Sequence, residues 1–588
     1  MSFIKKYISS IITAIVCLIV TLGFFSPMYA YHEGLQIFMS DWEFFSDTCF
    51  RPGGLSDYIG CFFVQFFMYP HWLAIIITAL IVGTQLITKN ILIQKHNTLF
   101  ADVLSVICAT VMLAAVTEFN VVFGGCVSLF LAVLAIKVTD LSKNTFLLSI
   151  LTPIIYWITG GFGCIIYIIG VASVFELKKS GIFAASNLAI LLLVWLLTKR
   201  IMEDDSLFDT FCGTDFNRYP GQSCTVWFIS IWTIITCFAV SIFVKKLENK
   251  IVNIALYSVA IICITINLIT KYDSGTFLVF QLDKMTRYKN WGGIVKLMEK
   301  QKSTSKISNC YLNIALNELG LLNNKMFNFM QVGTEGIMSQ EVDSQDKSIV
   351  NSEIYFRLGL MNIAERLAID ATESTQCHQK SARQYKRLAE IAIIRKNKPL
   401  AYRYLYKLKN TMFYSAWANR ALEYINNPDK VEPLSDWKIE PLVFEQQDAF
   451  FTPKYKSDFI LILLGNNPHN NKLFNYYVCT LLLEKNIEKL YNFVSQYRPE
   501  GDLGIHIYEA ILLYLSLNNQ EEFKKVMNEN TPLTNKFQNF CNFMVTGGNK
   551  DVKKAEELYG NTYWFYYSFC ENLNPQSANQ TNIYAFVQ

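Results

Sequence analysis

A change of texture near Tyr272 constrains this chain more than any other feature. Upstream, apolar runs of membrane-spanning length follow one another with few charges. Downstream, the sequence turns polar, with apolar residues at helical spacing. A helix needs about 17–25 apolar residues to cross a bilayer core, at a rise of about 1.5 Å each, because lipid offers its backbone no hydrogen bonds. Nine runs meet or approach that length: 8–28, 71–88, 99–117, 121–136, 144–159, 161–177, 181–198, 225–244 and 252–270. Two pairs of them, 99–136 and 144–177, turn around the very short connections Glu118-Phe119-Asn120 and Gly160-Gly161. Each pair reads either as two spans or as a re-entrant hairpin. The first run follows Lys5 and Lys6, but it is long, and Met28-Tyr29-Ala30 after Pro27 makes a poor cleavage site, so it reads as an uncleaved anchor.

Charge separates the halves and orients the first. Residues 1–270 hold 15 Lys/Arg and 15 Asp/Glu, whereas the rest hold 37 and 33, so the second half carries the whole net +4. That excess is too mild, and too free of basic runs, for a nucleic-acid partner. Cytoplasmic loops of membrane proteins are enriched in Lys and Arg. With the N-terminus inside, the inner segments carry Lys5, Lys6, Lys89, Lys95, Lys137, Lys143, Lys178, Lys179, Lys245, Lys246 and Lys250. The outer loops carry only Arg51, Lys199, Arg200 and Arg218. About nine spans then put 273–588 outside the cytoplasm. In a Gram-negative cell this is the periplasmic face of the inner membrane.

The outer loop 29–70 is the most unusual connection. It opens with Tyr31-His32-Glu33 where the first span ends, turns at Arg51-Pro52-Gly53-Gly54, and continues into an aromatic run, Tyr58 to Met68, too short to span and too apolar for open water. It reads as folded back onto the membrane surface. Ionisable groups next to a membrane are functional candidates or interfacial anchors. Glu33 and Arg51 lead them, with Asp102, Glu118 and the charged loop 199–224 behind. Fifteen cysteines form no CxxC pair and six histidines take no metal-ligand spacing. Cys212 and Cys224 flank one polar loop and could pair in an oxidising compartment. No Walker A, GxSxG or HExxH motif is present.

From 277 onward the period is helical. Tyr311–Gly320, Tyr355–Leu360 with Ala364, Ala368 and Ala371, Leu388–Ala392 with Asn397-Lys398 and Ala401, and Tyr476–Leu483 with Lys485-Asn486 place small and aromatic residues where paired helices meet. These segments resemble degenerate tetratricopeptide repeats, implying an α-solenoid whose groove binds proteins or extended peptides. Pro428, Pro433, Pro441 and Pro453 mark a long connection over 427–455, the tail after Pro575 reads as loose, and the aromatic stretch Tyr563–Phe569 reads as a cap or docking helix, or as a membrane-resting one.

Tyr31-His32-Glu33, Arg51-Pro52-Gly53-Gly54-Leu55 with Tyr58 and Gln65-Phe66-Phe67, and Thr562-Tyr563-Trp564 resemble an uncharacterised family of polytopic membrane proteins from Gram-negative anaerobes. A second resemblance is one of plan. GT-C-class glycosyltransferases have a cytoplasmic N-terminus, many spans, an essential acid in the first outer loop and, in some, an outer tetratricopeptide domain. It implies Glu33 as general base or metal ligand and Arg51 or Arg200 on a lipid phosphate. The chain departs from that class in having no Asp-Asp or Asp-Glu pair in the first loop.

The expected fold is all-α: a transmembrane bundle, 1–272, followed by a tetratricopeptide-like solenoid, 273–588. The expected function is presentation of a periplasmic repeat domain to a protein or peptide partner. The alternative is a GT-C-like transferase using a polyprenyl-phosphate-linked sugar, with the repeats selecting the acceptor. No cofactor is evident, and a divalent metal enters only with the transferase.

Overall fold

A computed structural model describes residues 2–139, 145–219, 224–244, 250–303, 305–339, 344–374, 380–439, 441–442, 456–497 and 503–570. Lys143, Lys245, Lys246, Pro453 and the tail after Pro575 lie outside these residues. Among the described residues every regular element is helical, and the only β pairing is an isolated bridge between Val121 and Asn217. The chain divides into two compact units. The first comprises 1–280, 372–389 and 398–432, and the second 281–371, 390–397 and 433–588.

In the first unit, α1 (Ser2–Val20) and α2 (Ser26–Gly34) are joined by a π-helical turn, Thr21–Phe25, so they run on as one apolar segment. Two short helices follow, α3 (Trp42–Cys49) and α4 (Gly54–Val64), and a 3-10 turn, Gln65–Met68. Then come α5 (Pro70–Leu92), α6 (Thr98–Val116), α7 (Phe123–Thr139), α8 (Thr145–Val174), α9 (Leu177–Ile201), α10 (Leu207–Cys212), α11 (Thr225–Phe243) and α12 (Lys250–Lys271). Among the described residues, seven segments are long and apolar enough to cross a membrane: Tyr7–Gly34, α5, α6, α8, α9, α11 and Ile254–Lys271. Helix α7 is apolar but has 17 residues.

Helix α8 is not one rod. Gly160 sits at φ 71° and ψ −179°, outside helical space. Cys164 Sγ donates to the Thr152 carbonyl (3.6 Å), and Tyr167 OH to the Leu148 carbonyl (3.4 Å). In a continuous helix, residues 148 and 167 would stand about 28 Å apart. The arms 145–159 and 161–174 therefore run antiparallel, as a helical hairpin folded at the Gly160-Gly161 connection. Only glycine fits there. The conformation is left-handed, and a Cβ would run into the Cys212 carbonyl oxygen.

The loops sort into two ends. At the Glu33 end, Gly53 N donates to Trp157 O (2.8 Å), Ser56 Oγ to Ile158 O (2.7 Å), Val122 N to Phe216 O (3.0 Å) and Arg218 N to Asn120 O (2.7 Å). At the opposite end, Lys95 Nζ donates to Ser173 O (2.8 Å). There too Asp102 takes Ser9 Oγ (2.8 Å), Tyr257 OH (2.6 Å) and Lys89 Nζ. An ionisable pair inside an apolar bundle persists only when hydrogen-bonded in this way.

Five helix junctions from 289 onward share one turn. At Lys289, Gly320, Gly359, Lys396 and Lys485 the chain enters positive φ at a helix C-terminus. Each time the same two bonds form, from that residue's N–H to the carbonyl three back and from the next N–H to the carbonyl five back. Examples are Lys485 N to Leu482 O (3.1 Å) with Asn486 N to Leu481 O (3.0 Å), and Gly359 N to Phe356 O (3.1 Å) with Leu360 N to Tyr355 O (2.8 Å). This is the Schellman closure, which satisfies helix-end carbonyls and reverses the chain. After Lys289 and Lys485, an asparagine caps the next helix: Asn290 accepts from Gly293 N and Asn486 from Lys489 N, worth about 1 kcal/mol each.

Lysine in that conformation carries a cost that glycine avoids. Lys396 is exposed, so Lys396→Gly is expected to stabilise the turn by about 1 kcal/mol. A rise in the apparent Tm of the purified protein checks this, and an unchanged or lowered Tm would contradict it.

The aromatic stretch Tyr563–Phe569 is a helix that packs inward. Trp564 is fully buried, its Nε1 donating to Glu509 O (2.8 Å), while Tyr566 OH donates to Leu483 O (3.1 Å). It caps the helices Asn471–Leu483 and Ile505–Asn518 instead of offering its rings to a membrane. The 427–455 connection holds a 3-10 turn, Ser435–Lys438, with Trp437 buried, and Leu442 N bonds to Gly359 O (2.9 Å). Residues 443–455 lie outside the described set.

Candidate functional site: the cleft at Glu33

Glu33 stands in the last turn of α2, whose start is fixed by Pro27 in its first turn. The helix closes with Leu35 N on His32 O (3.1 Å), and the chain then runs without regular structure to Asp41. Part of the chain's second half clasps this stretch. Ser381 Oγ donates to Gly34 O (2.6 Å), Ala382 N to Gln36 O (3.1 Å), Ser40 N to Asn410 O (3.0 Å) and Asn410 Nδ2 to Asp41 Oδ2 (2.9 Å). The clasp brings Tyr414 to Glu33, with the phenol donating to Oε1 at 3.1 Å.

Between these pieces lies a half-open cleft of about 300 Å³, walled by Phe38, Val64 and Phe413 and edged by Glu33, Gln36, Cys61, Gln65 and Tyr414. Its centre has room for little more than one water-sized group. Glu33 and Gln36 are buried, at 5% and 4% exposure. Gln36 Nε2 donates to Cys61 Sγ (3.7 Å), whereas Gln36 Oε1 and Gln65 Nε2 are buried with no hydrogen-bond partner. Burial, with Asp57 nearby, pushes the Cys61 thiol up to about 12. It is therefore a neutral acceptor here and not a nucleophile.

Arg51 lies elsewhere. Its Nη1 and Nη2 meet Asp215 Oδ1 (3.2 Å) and Oδ2 (2.8 Å), and Nη2 also meets Asp57 Oδ2 (2.9 Å). Asp215 N donates back to Asp57 (3.0 Å). Burial opposes the Arg51 charge, but Asp215 and Asp57 outweigh it and raise the guanidinium above its ordinary value. Burial and then the Asp215 carboxylate push the Asp57 carboxyl well above the usual carboxylate range, against the pull of Arg51. The fork that would suit a phosphate is thus spent on two carboxylates. This triad pins α4 to the 213–219 segment, where Gly53, in a left-handed conformation, lets the backbone close on Thr214.

The other candidates do not gather at the cleft. Glu118 pairs with Lys271 (2.6 Å). Lys199 Nζ bonds Met202 O (3.2 Å) and Glu203 O (2.8 Å), and Arg200, Glu203, Asp204 and Asp205 are exposed. Asp102 belongs to the opposite end. His32 is buried with its ring against Phe119 (5.1 Å). Cys212 and Cys224 are buried free thiols, and Cys224 Sγ donates to Asn217 Oδ1 (3.1 Å), so the disulfide weighed for them is not formed. Among the described residues no three His, Cys, Asp or Glu side chains gather as a metal ion would need.

Sequence reasoning named Glu33 as a candidate but did not single out Gln36 and Tyr414 beside it or Asp57 beside Arg51. Asp57 left a faint signal, a lone acid in an apolar helix six residues after Arg51. Tyr414 left none.

A model for a family of unknown function matches residues 4–570. No curated protein and no solved structure matches the chain.

Proposed function

The chain belongs to the family of unknown function DUF6057, and from that premise we propose an integral membrane protein that presents a helical-repeat region to a protein or peptide partner in the cell envelope. The repeated turn carries this reading. Five like-built helix reversals, at spacings of 31, 39, 37 and 89 residues, are turns of the kind that link helix pairs in tetratricopeptide-like solenoids. Their uneven spacing explains why no fixed 34-residue period is visible. In such arrays neighbouring pairs bury their apolar faces and leave a groove suited to extended chains.

The same reading places the N-terminus in the cytoplasm of a bacterial inner membrane and 273–588 in the periplasm. It takes nine passes through the bundle, counting both arms of α8 and the 17-residue α7. Two observations support it. The loops at 117–122, 160 and 202–219 gather at the Glu33 end, and Lys89 and Lys95 sit at the other. A phosphatase fused to the C-terminus of the full chain is expected to be active, and photocrosslinkers on exposed faces of the second unit are expected to trap a polypeptide. An inactive fusion would overturn the location, and an absence of crosslinked polypeptide at every position would overturn the binding role.

The transferase alternative keeps one favourable observation: Glu33 edges a cleft where the first span ends. Arg51, bound to two carboxylates, would then serve as a brace and not as the phosphate ligand. A cell lacking the protein but displaying unchanged envelope glycans would dispose of this alternative.

A further inference from the structure

We propose that the cleft at Glu33 is a binding site for the primary ammonium of an aminophospholipid headgroup, with ethanolamine phosphate as the chemistry it fits. Three observations converge on it, independent of what the repeat region binds.

The first is the donor and acceptor pattern. Glu33 supplies a carboxylate at the cleft's edge. Gln36 Oε1, one turn of chain away, is a buried acceptor whose own amide nitrogen is already committed to Cys61. A buried polar atom without a partner costs about 1–3 kcal/mol, so an unfilled acceptor beside a carboxylate marks where a donor belongs. An ammonium carries three N–H bonds and a charge, and serves both. Gln65 Nε2 is the converse, a buried donor awaiting an acceptor, and a phosphate oxygen two carbons from the ammonium supplies one.

The second is width. The centre of the cleft takes one small group. A –NH3+ enters end-on. A trimethylammonium is too bulky for that centre and brings no N–H.

The third is position. Exposed aromatic residues lie on and next to the cleft's walls: Phe62 at 37% exposure on α4, Tyr69 at 43% against Phe413, Trp72 at 55% against Phe66, and Trp42 at 72% on the neighbouring α3. Trp and Tyr settle where acyl chains meet headgroups, and Glu33 lies at the end of a membrane-length apolar segment. The cleft therefore opens in the layer that headgroups occupy, and the lipid is the source of the ammonium.

The test uses the full-length protein, delipidated in detergent and titrated with phosphatidylethanolamine, phosphatidylcholine and phosphatidylglycerol of matched chains, with binding read by native mass spectrometry. Phosphatidylethanolamine is expected to bind at least about ten-fold more tightly than phosphatidylcholine, in keeping with a charge-assisted hydrogen bond gained or lost. Glu33→Gln is expected to erase that preference. Gln36→Leu, which leaves Glu33 and Tyr414 in place, is expected to weaken it and guards against a folding defect in the first variant. Displacement of the lipid by soluble O-phosphoethanolamine would support ammonium recognition, whereas tighter binding of the soluble compound than of the lipid would overturn the lipid source. Equal binding of all three lipids, a preference for phosphatidylglycerol, or an undiminished preference in both variants would overturn the site.

Discussion

Arg51→Met is expected to leave the first unit severely destabilised. The substitution keeps the volume but strands Asp57 and Asp215, at 2% and 12% side-chain exposure, without their cation. Breaking a buried ion pair from one side costs about 3–5 kcal/mol, because the remaining charge is left desolvated and unpaired. The apparent Tm in detergent should fall by roughly 6–20 °C, and the monodisperse fraction with it. Asp57→Asn combined with Asp215→Asn in the Arg51→Met background should recover much of the loss, since a neutral set replaces the stranded carboxylates. A single variant as stable as the parent would show that the triad does not brace the fold. A variant that is stable but loses a measured transferase activity would return Arg51 to a catalytic role.

Gly160→Ala carries the second large effect. Two costs add there. Left-handed backbone disfavours a Cβ by about 1–2 kcal/mol, and overpacking against the Cys212 carbonyl adds about 1–3 kcal/mol. The Cys212 segment cannot retreat freely, because Gly213 and Thr214 are packed against Pro52 and Gly53. Gly181→Ala is the matched control. It lies in α9 with nothing within 4 Å of its added Cβ, and gains helix propensity of up to about 1 kcal/mol. Comparing the two apparent Tm values separates the cost of the hairpin from that of adding a methyl group to a glycine. Equal Tm values would mean that the α8 hairpin is not folded as described.

Much of the architecture was legible because solvent writes it locally. Apolar run lengths marked the helices of the first unit, and the Gly160-Gly161 connection already suggested a hairpin. The repeat turns were half legible. Gly320 and Gly359 advertise positive φ, but Lys289, Lys396 and Lys485 adopt the same conformation without glycine's signature, and only a following asparagine marks them. The site was least legible. Glu33 stood out from its place at the end of a span, yet its partner Tyr414 is 381 residues away, and Arg51 meets Asp215 across 164. One sequence records which residues are apolar or charged. It does not record which distant pairs folding brings into register.

The π-helical turn at Thr21–Phe25 has a further consequence for the first segment. Below it, Ile8, Ile12, Ile15 and Ile19 form an exposed apolar stripe, while above it Met28 through Phe38 are buried on every side. A five-residue turn holds one residue more than an α-helical ladder would, and one residue corresponds to about 100° of rotation. The segment thus changes its heading partway along without ceasing to be a helix. Its lower half turns an apolar face outward and its upper half packs within the protein. Glu33's bearing is set by that single offset, a dozen residues before the carboxylate itself.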